Sequence, residues 1–423
     1  MKRVSALLLT CTLGLSALSG CSASAAPQPL SAQPVTISEE EMMRYDLETP
    51  AVWSALSEFG LDLLKTARQE GEGTLLSPLS AALALSMAAN GADGETLDQF
   101  REVLGDGASL EALNVSCSAL MKLYGGLGGS TECSIANSLW TDPEGRMQED
   151  FVGRCSGIFD AQVFQEDLSA PVIVPALNSW VSDHTAGMIP QIIQRPFGED
   201  AAALMVNALY LKNTWATKFD PSDTITRDFT RADGTAEPLD FLQHFSRSLT
   251  YLQSGSDEGV LLPYDDGRLA FFALMPRQSS GVPDFERWLS SLTGEGLSAL
   301  LSGRDETFFL RLSLPKFEQE WSGELKDALA ALGLTDAFDP DLADFSLLGD
   351  DPRGYYLSQV IHAARIEVNE EGTEAAAATV VAAASGAAPP QEGVTLIFDR
   401  PFLYGIVDLQ NGVPLFLGTF EGL

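Results

Sequence analysis

Apolar positions recur with a helical period over the first part of the chain and with a strand-like texture over the later part. Trp53, Leu56, Phe59, Leu63 and Leu64 share one helical face. Ser77-Pro78 sets a capping serine before a first-turn proline, residues 79–89 are rich in Ala and Leu, and Asn90-Gly91 is a stop signal. The helical pattern continues over residues 95–104, 110–124 and 175–185, with short strands expected around 134–140. From Ala203 to Leu211 an unbroken apolar run suits a strand buried on both faces. Residues 259–263 and 269–276 flank Asp265-Asp266-Gly267 and predict a hairpin. Residues 308–314 alternate, 325–332 predict a helix ended by Gly333, and 396–398, 403–408 and 415–420 close the chain as strands. Helices first, then a mixed region, then strands predict an α+β fold with large antiparallel-rich sheets.

The N-terminus carries an address. Lys2 and Arg3 precede an apolar run over 4–17 that is too short for a membrane span and suits a signal-peptide core. It ends in Leu18-Ser19-Gly20-Cys21, which resembles the lipobox of bacterial lipoproteins. Residues 1–20 are expected to be the signal, with Cys21 lipidated as the first mature residue; an ordinary signal cleaved after Ala25 or Ala26 is the alternative. Residues 22–38 are rich in Ala, Ser, Pro and Gln, so 21–46 are expected to form a flexible tether spanning roughly 20–25 Å. The folded domain is expected over 47–423. Its length suggests more than one domain, but no internal repeat or second linker divides it.

Charge and composition narrow the function. The 423 residues hold 59 acidic against 25 basic side chains, a net charge of -34. That field repels phosphate backbones and anionic headgroups, so nucleic acid is excluded as a partner and membrane contact is expected only through the lipid anchor. Once Cys11 leaves with the signal and Cys21 carries lipid, Cys117, Cys133 and Cys155 remain. An odd count makes no disulfide framework, and they read as small buried apolar residues. The three histidines, His184, His244 and His362, are isolated. No nucleophile elbow, zinc-binding His-Glu-x-x-His, phosphate loop or dinucleotide fingerprint is present. No enzyme activity, cofactor or metal is expected. Glu39-Glu40-Glu41 and Glu370-Glu371 read as solvated charge.

One stretch stands apart. After Glu370-Glu371-Gly372 come Thr373-Glu374-Ala375-Ala376-Ala377-Ala378-Thr379-Val380-Val381 and further small residues through Pro389-Pro390. It reads either as an alanine-rich helix stopped at Gly386 or as an exposed loop that can become a strand, hinged at Gly372. In the second reading Thr373, Ala375, Ala377, Thr379 and Val381 fall on one face and Glu374 on the other.

The hinge-like segment Glu370, Glu371, Gly372, Thr373, Glu374, Ala375, Ala376, Ala377, Ala378, Thr379 resembles that of an inhibitory serpin's reactive loop. Leu396-Ile397-Phe398-Asp399-Arg400-Pro401-Phe402 is similar to the family's C-terminal signature, and residues 207–215, ending in Trp215, resemble its central-sheet strand. Ser77-Pro78-Leu79-Ser80, Leu314-Pro315-Lys316-Phe317 and Leu415-Phe416-Leu417-Gly418 match in the expected order. The resemblance covers residue 47 to the end. It implies a serpin fold and irreversible, suicide-substrate inhibition of serine proteases, in which the cleaved loop inserts into the central sheet. Carried over by position, Ser77, Ser80, Asn207 and His362 match the polar shutter and Trp215 the breach where insertion starts. Family spacing puts the reactive bond at Gly386-Ala387, within a window of Ala384, Ser385, Gly386, Ala387 and Ala388. No Lys or Arg, and no large aromatic or Leu, lies near that bond, so the expected partner is an elastase-like or subtilisin-like serine protease. A monomer is expected, and the signal with its lipobox implies that it is secreted and membrane-anchored through Cys21. A non-inhibitory binding or carrier protein of the same fold, and a two-lobed lipoprotein solute-binding protein, are the alternatives.

Overall fold

The structure, a computed structural model, describes residues 26–246, 249–277, 285–305, 309–373 and 393–423. Helices and strands are numbered in chain order. The N-terminal helices are α1 (Glu39–Tyr45), α2 (Thr49–Ala67), α3 (Pro78–Ala89), α4 (Gly94–Gly105) and α5 (Leu110–Tyr124). Later come α6 (Glu149–Ile158), α7 (Ile173–His184), α8 (Phe285–Ser291), α9 (Gly294–Ser302) and α10 (Lys326–Ala331). Ser77 caps α3 by accepting the Ser80 amide at 3.2 Å. Every residue of α3 is buried, as a helix of Ala and Leu without a polar face must be.

The largest element for function is a six-stranded sheet. Its spatial order is β13 (Phe317–Glu324), β15 (Leu357–Val368), β16 (Gly372–Thr373), β5 (Ala203–Thr214), β2 (Glu132–Thr141) and β4 (Gln162–Gln165). A seven-stranded sheet runs β1 (Thr74–Leu76), β19 (Pro414–Phe420), β18 (Phe402–Asp408), β10 (Leu269–Pro276), β9 (Asp257–Pro263), β8 (Thr250–Ser254) and β11 (Arg304–Asp305). A third has the order β17 (Gly393–Ile397), β12 (Phe309–Pro315), β7 (Ala236–Ser246) and β6 (Ile225–Thr230). A small ribbon joins β14 (Gly349–Asp350) to β3 (Arg146–Met147). Neighbours are mostly antiparallel, and the predicted β9–β10 hairpin forms.

Strand β5 is buried on both faces because two cores meet on it. Met205, Leu209 and Leu211 join the main core that holds α3, while Leu204, Val206 and Ala208 pack with Trp140, Phe164, Leu177 and Val181, bringing in α7. The short strands expected around 134–140 are one ten-residue strand, β2, paired with β5 from Glu132–Lys212 to Thr141–Ala203. Cys117 and Cys155 are buried and Cys133 is only partly so; all three are free thiols.

The expected tether does not hang free over its described part. The Leu30 amide donates to Val163 O at 2.7 Å on the edge strand β4, and the Val35 amide donates to Gly153 O at 2.9 Å on α6. Leu30, Ala32 and Ile37 pack on the core, and Ser38 and Glu41 form a capping box that starts α1. This strap lies close because α6 carries glycines one turn apart. A Cβ on Gly153 would sit 2.4 Å from Gln33 O, and one on Gly157 would sit 2.1 Å from Val35 O. Two glycines in a ten-residue helix weaken it, and the docked main chain is their structural reason. Gly157→Val is therefore expected to lift the strap while leaving a cooperative body. Hydrogen exchange checks it: the Leu30 and Val35 amides should lose protection and those of β5 should keep it.

Candidate functional site

The six-stranded sheet is one strand short over part of its length. β5 and β15 run parallel and pair directly from Leu357–Ala203 to Ala363–Ala208. Towards their other ends, β16 sits between them, antiparallel to both, with Thr373 opposite Val368 and Asn213, and Gly372 opposite Thr214. A two-residue strand thus begins a new ladder at one end of a gap that is shut at the other.

His362 and Asn207 face each other in register at the shut end. The Ser77 amide donates to His362 Nε2 at 2.9 Å. Nε2 therefore accepts, the ring proton is assigned to Nδ1, and Nδ1–H donates to Asn207 Oδ1 at 2.5 Å. The ring is fully buried, and burial pushes its pKa down to about 3. Ser77, Ser80, Asn207 and His362 are thus brought together by the N-terminus of α3 beneath the β5–β15 seam. One member was missed by sequence reasoning. Asn137 on β2 is opposite Asn207 and buried at 1% exposure. Its one sequence signal was an amide inside an apolar strand. Among the described residues both Asn137 amide atoms, Asn207 Nδ2 and Ser80 Oγ make no hydrogen bond.

The open end is built around Trp215. Its ring stacks on Tyr264 at 4.8 Å and meets Phe219 and Phe271 edge-on. Its indole N–H donates to Asn369 O at 2.8 Å. Asn369 makes the turn that reverses the chain out of β15: its Oδ1 accepts the Glu371 and Gly372 amides at 2.9 and 3.2 Å. Only glycine fits next, because a Cβ on Gly372 would lie 2.0 Å from Asn213 O. Thr373 is buried at 2% exposure, and its hydroxyl shares a hydrogen bond with the Tyr264 hydroxyl.

Glu370 and Glu371 correct the expectation of solvated charge. Lys316 Nζ meets Glu370 at 2.8 Å and Lys218 Nζ meets Glu371 at 2.5 Å, with the carboxylate side chains only 12% and 17% exposed. Thr224 Oγ1 also donates to Glu370 at 2.9 Å. Burial opposes ionisation of Glu370, but the bonds from Lys316, its own backbone and Thr224 outweigh it and hold the carboxyl below its usual range. Their main-chain carbonyls are used too, accepting from the Phe219 and Trp215 amides. The other two histidines are structural. His184 Nδ1 bonds Trp180 O, and His244 packs edge-on to Phe219.

Glu374, Ala375, Ala376, Ala377, Ala378 and Thr379, the bond Gly386-Ala387 with its window from Ala384 to Ala388, and Cys21 all lie outside the described residues.

The shut end predicts a pH effect of known sign. The unfolded chain binds a proton at His362 near the ordinary value of 6.5, whereas the folded chain resists it to about 3. Between these values the unfolded state holds more protons. Stability is therefore full above 6.5 and falls as pH drops below it, by up to about 1.4 kcal/mol per pH unit. Urea midpoints from pH 6.5 to 5 should show this slope. His362→Ala should flatten it and lower the midpoint at pH 7, since orphaning Ser77 N and Asn207 Oδ1 costs about 1–3 kcal/mol. Equal slopes in both proteins would remove His362 as the cause.

Comparisons with known proteins agree with this architecture. The family model described as "Serpin (serine protease inhibitor)" matches residues 54–422. Serpin-ZXA of Oryza sativa subsp. japonica is 33% identical over 362 residues, covering 82% of this chain and 89% of its own. Plasminogen activator inhibitor 1 of Neovison vison is 30% identical over 377 residues, covering 86% and 90%. Among solved structures, the thermophilic serpin tengpin in its native state superposes with a TM-score of 0.81 at 30% identity, covering 94% of this chain and 97% of that one. Thyroxine-binding globulin with thyroxine shares the fold at a TM-score of 0.77 and 22% identity, covering 88% and 98%. A sheet parted by the first two residues of an incoming strand, matched over nearly the whole body by these relatives, identifies the chain as a member of the serpin family, whose members are in general protease inhibitors rather than enzymes.

Proposed function

We propose that this chain is an irreversible, suicide-substrate inhibitor of elastase-like or subtilisin-like serine proteases. It would act as a monomer, without cofactor or metal, secreted and held at a membrane by lipid on Cys21. The observation that carries the reading is the seated start of β16. Continuing its register, in which 372 faces 214 and 373 faces 213, pairs 375 with 211, 377 with 209, 379 with 207 and 381 with 205. Leu211, Leu209 and Met205 belong to the main core, so the inward set becomes Ala375, Ala377, Thr379 and Val381, small enough to enter without large steric cost. Thr379 would reach Asn207 and bring a hydroxyl to the buried polar atoms there. Inserting residues 374–383 replaces the parallel β5–β15 contact by antiparallel ladders on both sides.

In the reaction, the protease serine attacks the loop carbonyl, the acyl-enzyme forms and the new amine leaves. The freed N-terminal side then zips into the gap before water reaches the ester. The carrier reading of the same fold predicts loop cleavage without capture. The solute-binding reading requires two α/β lobes, which is not the architecture observed.

Two experiments decide between capture and its absence. Purified protein mixed with subtilisin or elastase should give an SDS-stable band at the summed mass less the released C-terminal fragment, whereas trypsin should give none. Mass spectrometry of the released C-terminal fragment should place the cut between Ala383 and Ala388. A stable trypsin complex, or a cut outside that window during inhibition, overturns the specificity. Thr373→Arg should convert inhibitor to substrate, because a guanidinium would have to replace a buried hydroxyl against Tyr264. Undiminished complex yield in that variant would sink the insertion mechanism.

A further inference from the structure

We infer that the N-terminal strap fixes how the molecule stands on a membrane: anchored at Cys21, it turns the shut end of the six-stranded sheet towards the lipid and the hinge end away. This rests on the reading of Cys21 as the anchored residue and deepens it, since a free tether would favour neither end.

The strap's start and the hinge lie at different levels along the sheet. The strap's first main-chain bond joins Leu30 to Val163. Val163 pairs with Leu139, and Leu139 with Met205. From Met205 to Thr214, where Gly372 is seated, β5 rises nine residues, about 30 Å. Following the chain onward from Leu30, the strap climbs towards that hinge end. It crosses α6 at Gly153 and Gly157, and at Met42 its sulfur lies 3.9 Å from Lys122 Nζ in the last turn of α5. The segment after α5 reaches the hinge end itself, where Ser130 and Thr131 bond Asp265 and Asp266, and Asn213 also bonds Asp266. The strap therefore runs upward, and the chain before it leaves from the lower half of the sheet's β4 edge.

Reach completes the argument. Docking starts at Pro27, which is already partly buried. Only five residues separate it from Cys21, six steps that span at most about 20 Å. That is less than the rise from the strap's first bond to the hinge. The body can tilt on such a leash but cannot stand upright on its hinge end, with the strap's start about 30 Å above the lipid. The loop is then offered to a protease arriving from the bulk phase.

The test uses the mature chain from Cys21 with Cys133→Ser, leaving Cys117 and Cys155 buried. It is coupled through Cys21 to maleimide lipid in phosphatidylcholine vesicles. A donor dye is clicked onto p-azidophenylalanine in place of Glu199, exposed near the start of β5, or of Ser222, exposed beside the hinge. Energy transfer to a headgroup acceptor should be roughly two-fold stronger from position 199 than from 222, given about 30 Å between their levels. A 20-residue Gly/Ser insertion after Ser24, ahead of the described residues, should bring the two efficiencies together, and so should Gly157→Val. Equal transfer in the unmodified leash, or stronger transfer from 222, overturns the orientation. The anchor is judged separately, by the mass of the N-terminal peptide from membrane-extracted protein. A bare or absent Cys21 there refutes the lipoprotein reading, while the vesicle measurement still decides whether the strap orients the body.

Discussion

The hydrogen bond between His362 and Asn207 is the contact on which the rest of the molecule turns. It closes a seam between two strands that run parallel, β5 and β15, in a sheet whose other pairings are mostly antiparallel. A parallel contact is slightly the poorer ladder per residue, and this one is short, from Ala203–Leu357 to Ala208–Ala363. Beneath it Asn137, Asn207 and Ser80 bury polar atoms that no described residue bonds. A buried donor or acceptor left unmade costs more than a made bond contributes, so the seam is a place where the fold falls short of its own optimum. A strand arriving with a hydroxyl at the level of Asn207 would improve the ladder and the polar cluster together.

The other end of the seam meets the opposite requirement: it must hold the hinge without letting it run on. Gly372 touches Asn213 O and Thr214 Cα so closely that no side chain fits, Asn369 ties the turn, and Glu370 and Glu371 are clamped by Lys316 and Lys218. These ion pairs are partly buried and hydrogen-bonded, which separates them from surface pairs that contribute little. In a chain with 59 acidic residues against 25 basic ones, two lysines committed to one turn are a conspicuous use of positive charge. The clamp holds the carboxylates that precede the loop and leaves the residues beyond Thr373 to their own composition.

Legibility in the sequence followed the range of the interaction. The capped helix α3, the β9–β10 hairpin and the two-sided burial of β5 were readable because serine–proline, Asp-Asp-Gly and an apolar run are local signals. The hinge was readable from Gly372 and the small residues after it, and the polar cluster by resemblance through Ser77, Ser80, Asn207 and His362. What stayed hidden was set by pairing across long separations. Asn137 acquires meaning only from its register with Asn207, and Glu370 and Glu371 look solvated until Lys316 and Lys218 are folded beside them. The strap misled for the same reason. A segment rich in Ala, Pro, Ser and Gln has a linker's composition, and only the paired glycines of α6 betray that a main chain lies on them.

Strap and gap also bear on each other through the sheet's geometry. The strap grips β4 and α6, on the flank that includes β2 and β5, whereas the gap lies between β5 and β15. Two strands separate them, so the strap occupies none of the space an inserting strand needs. Their directions nevertheless converge. Extending the β16 register would bring residue 383 opposite Ala203, so a protease esterified just beyond it would finish at the end of the sheet near which the strap begins. On the proposed anchoring, capture would thus start at the outward end and finish facing the membrane, within a clearance set by the five residues between Cys21 and Pro27. A leash that short would then hold the loop outward at the start and limit the room at the finish. The length and composition of residues 21–27 would therefore tune the proposed inhibition as directly as the hinge does, although they lie far from it in the chain.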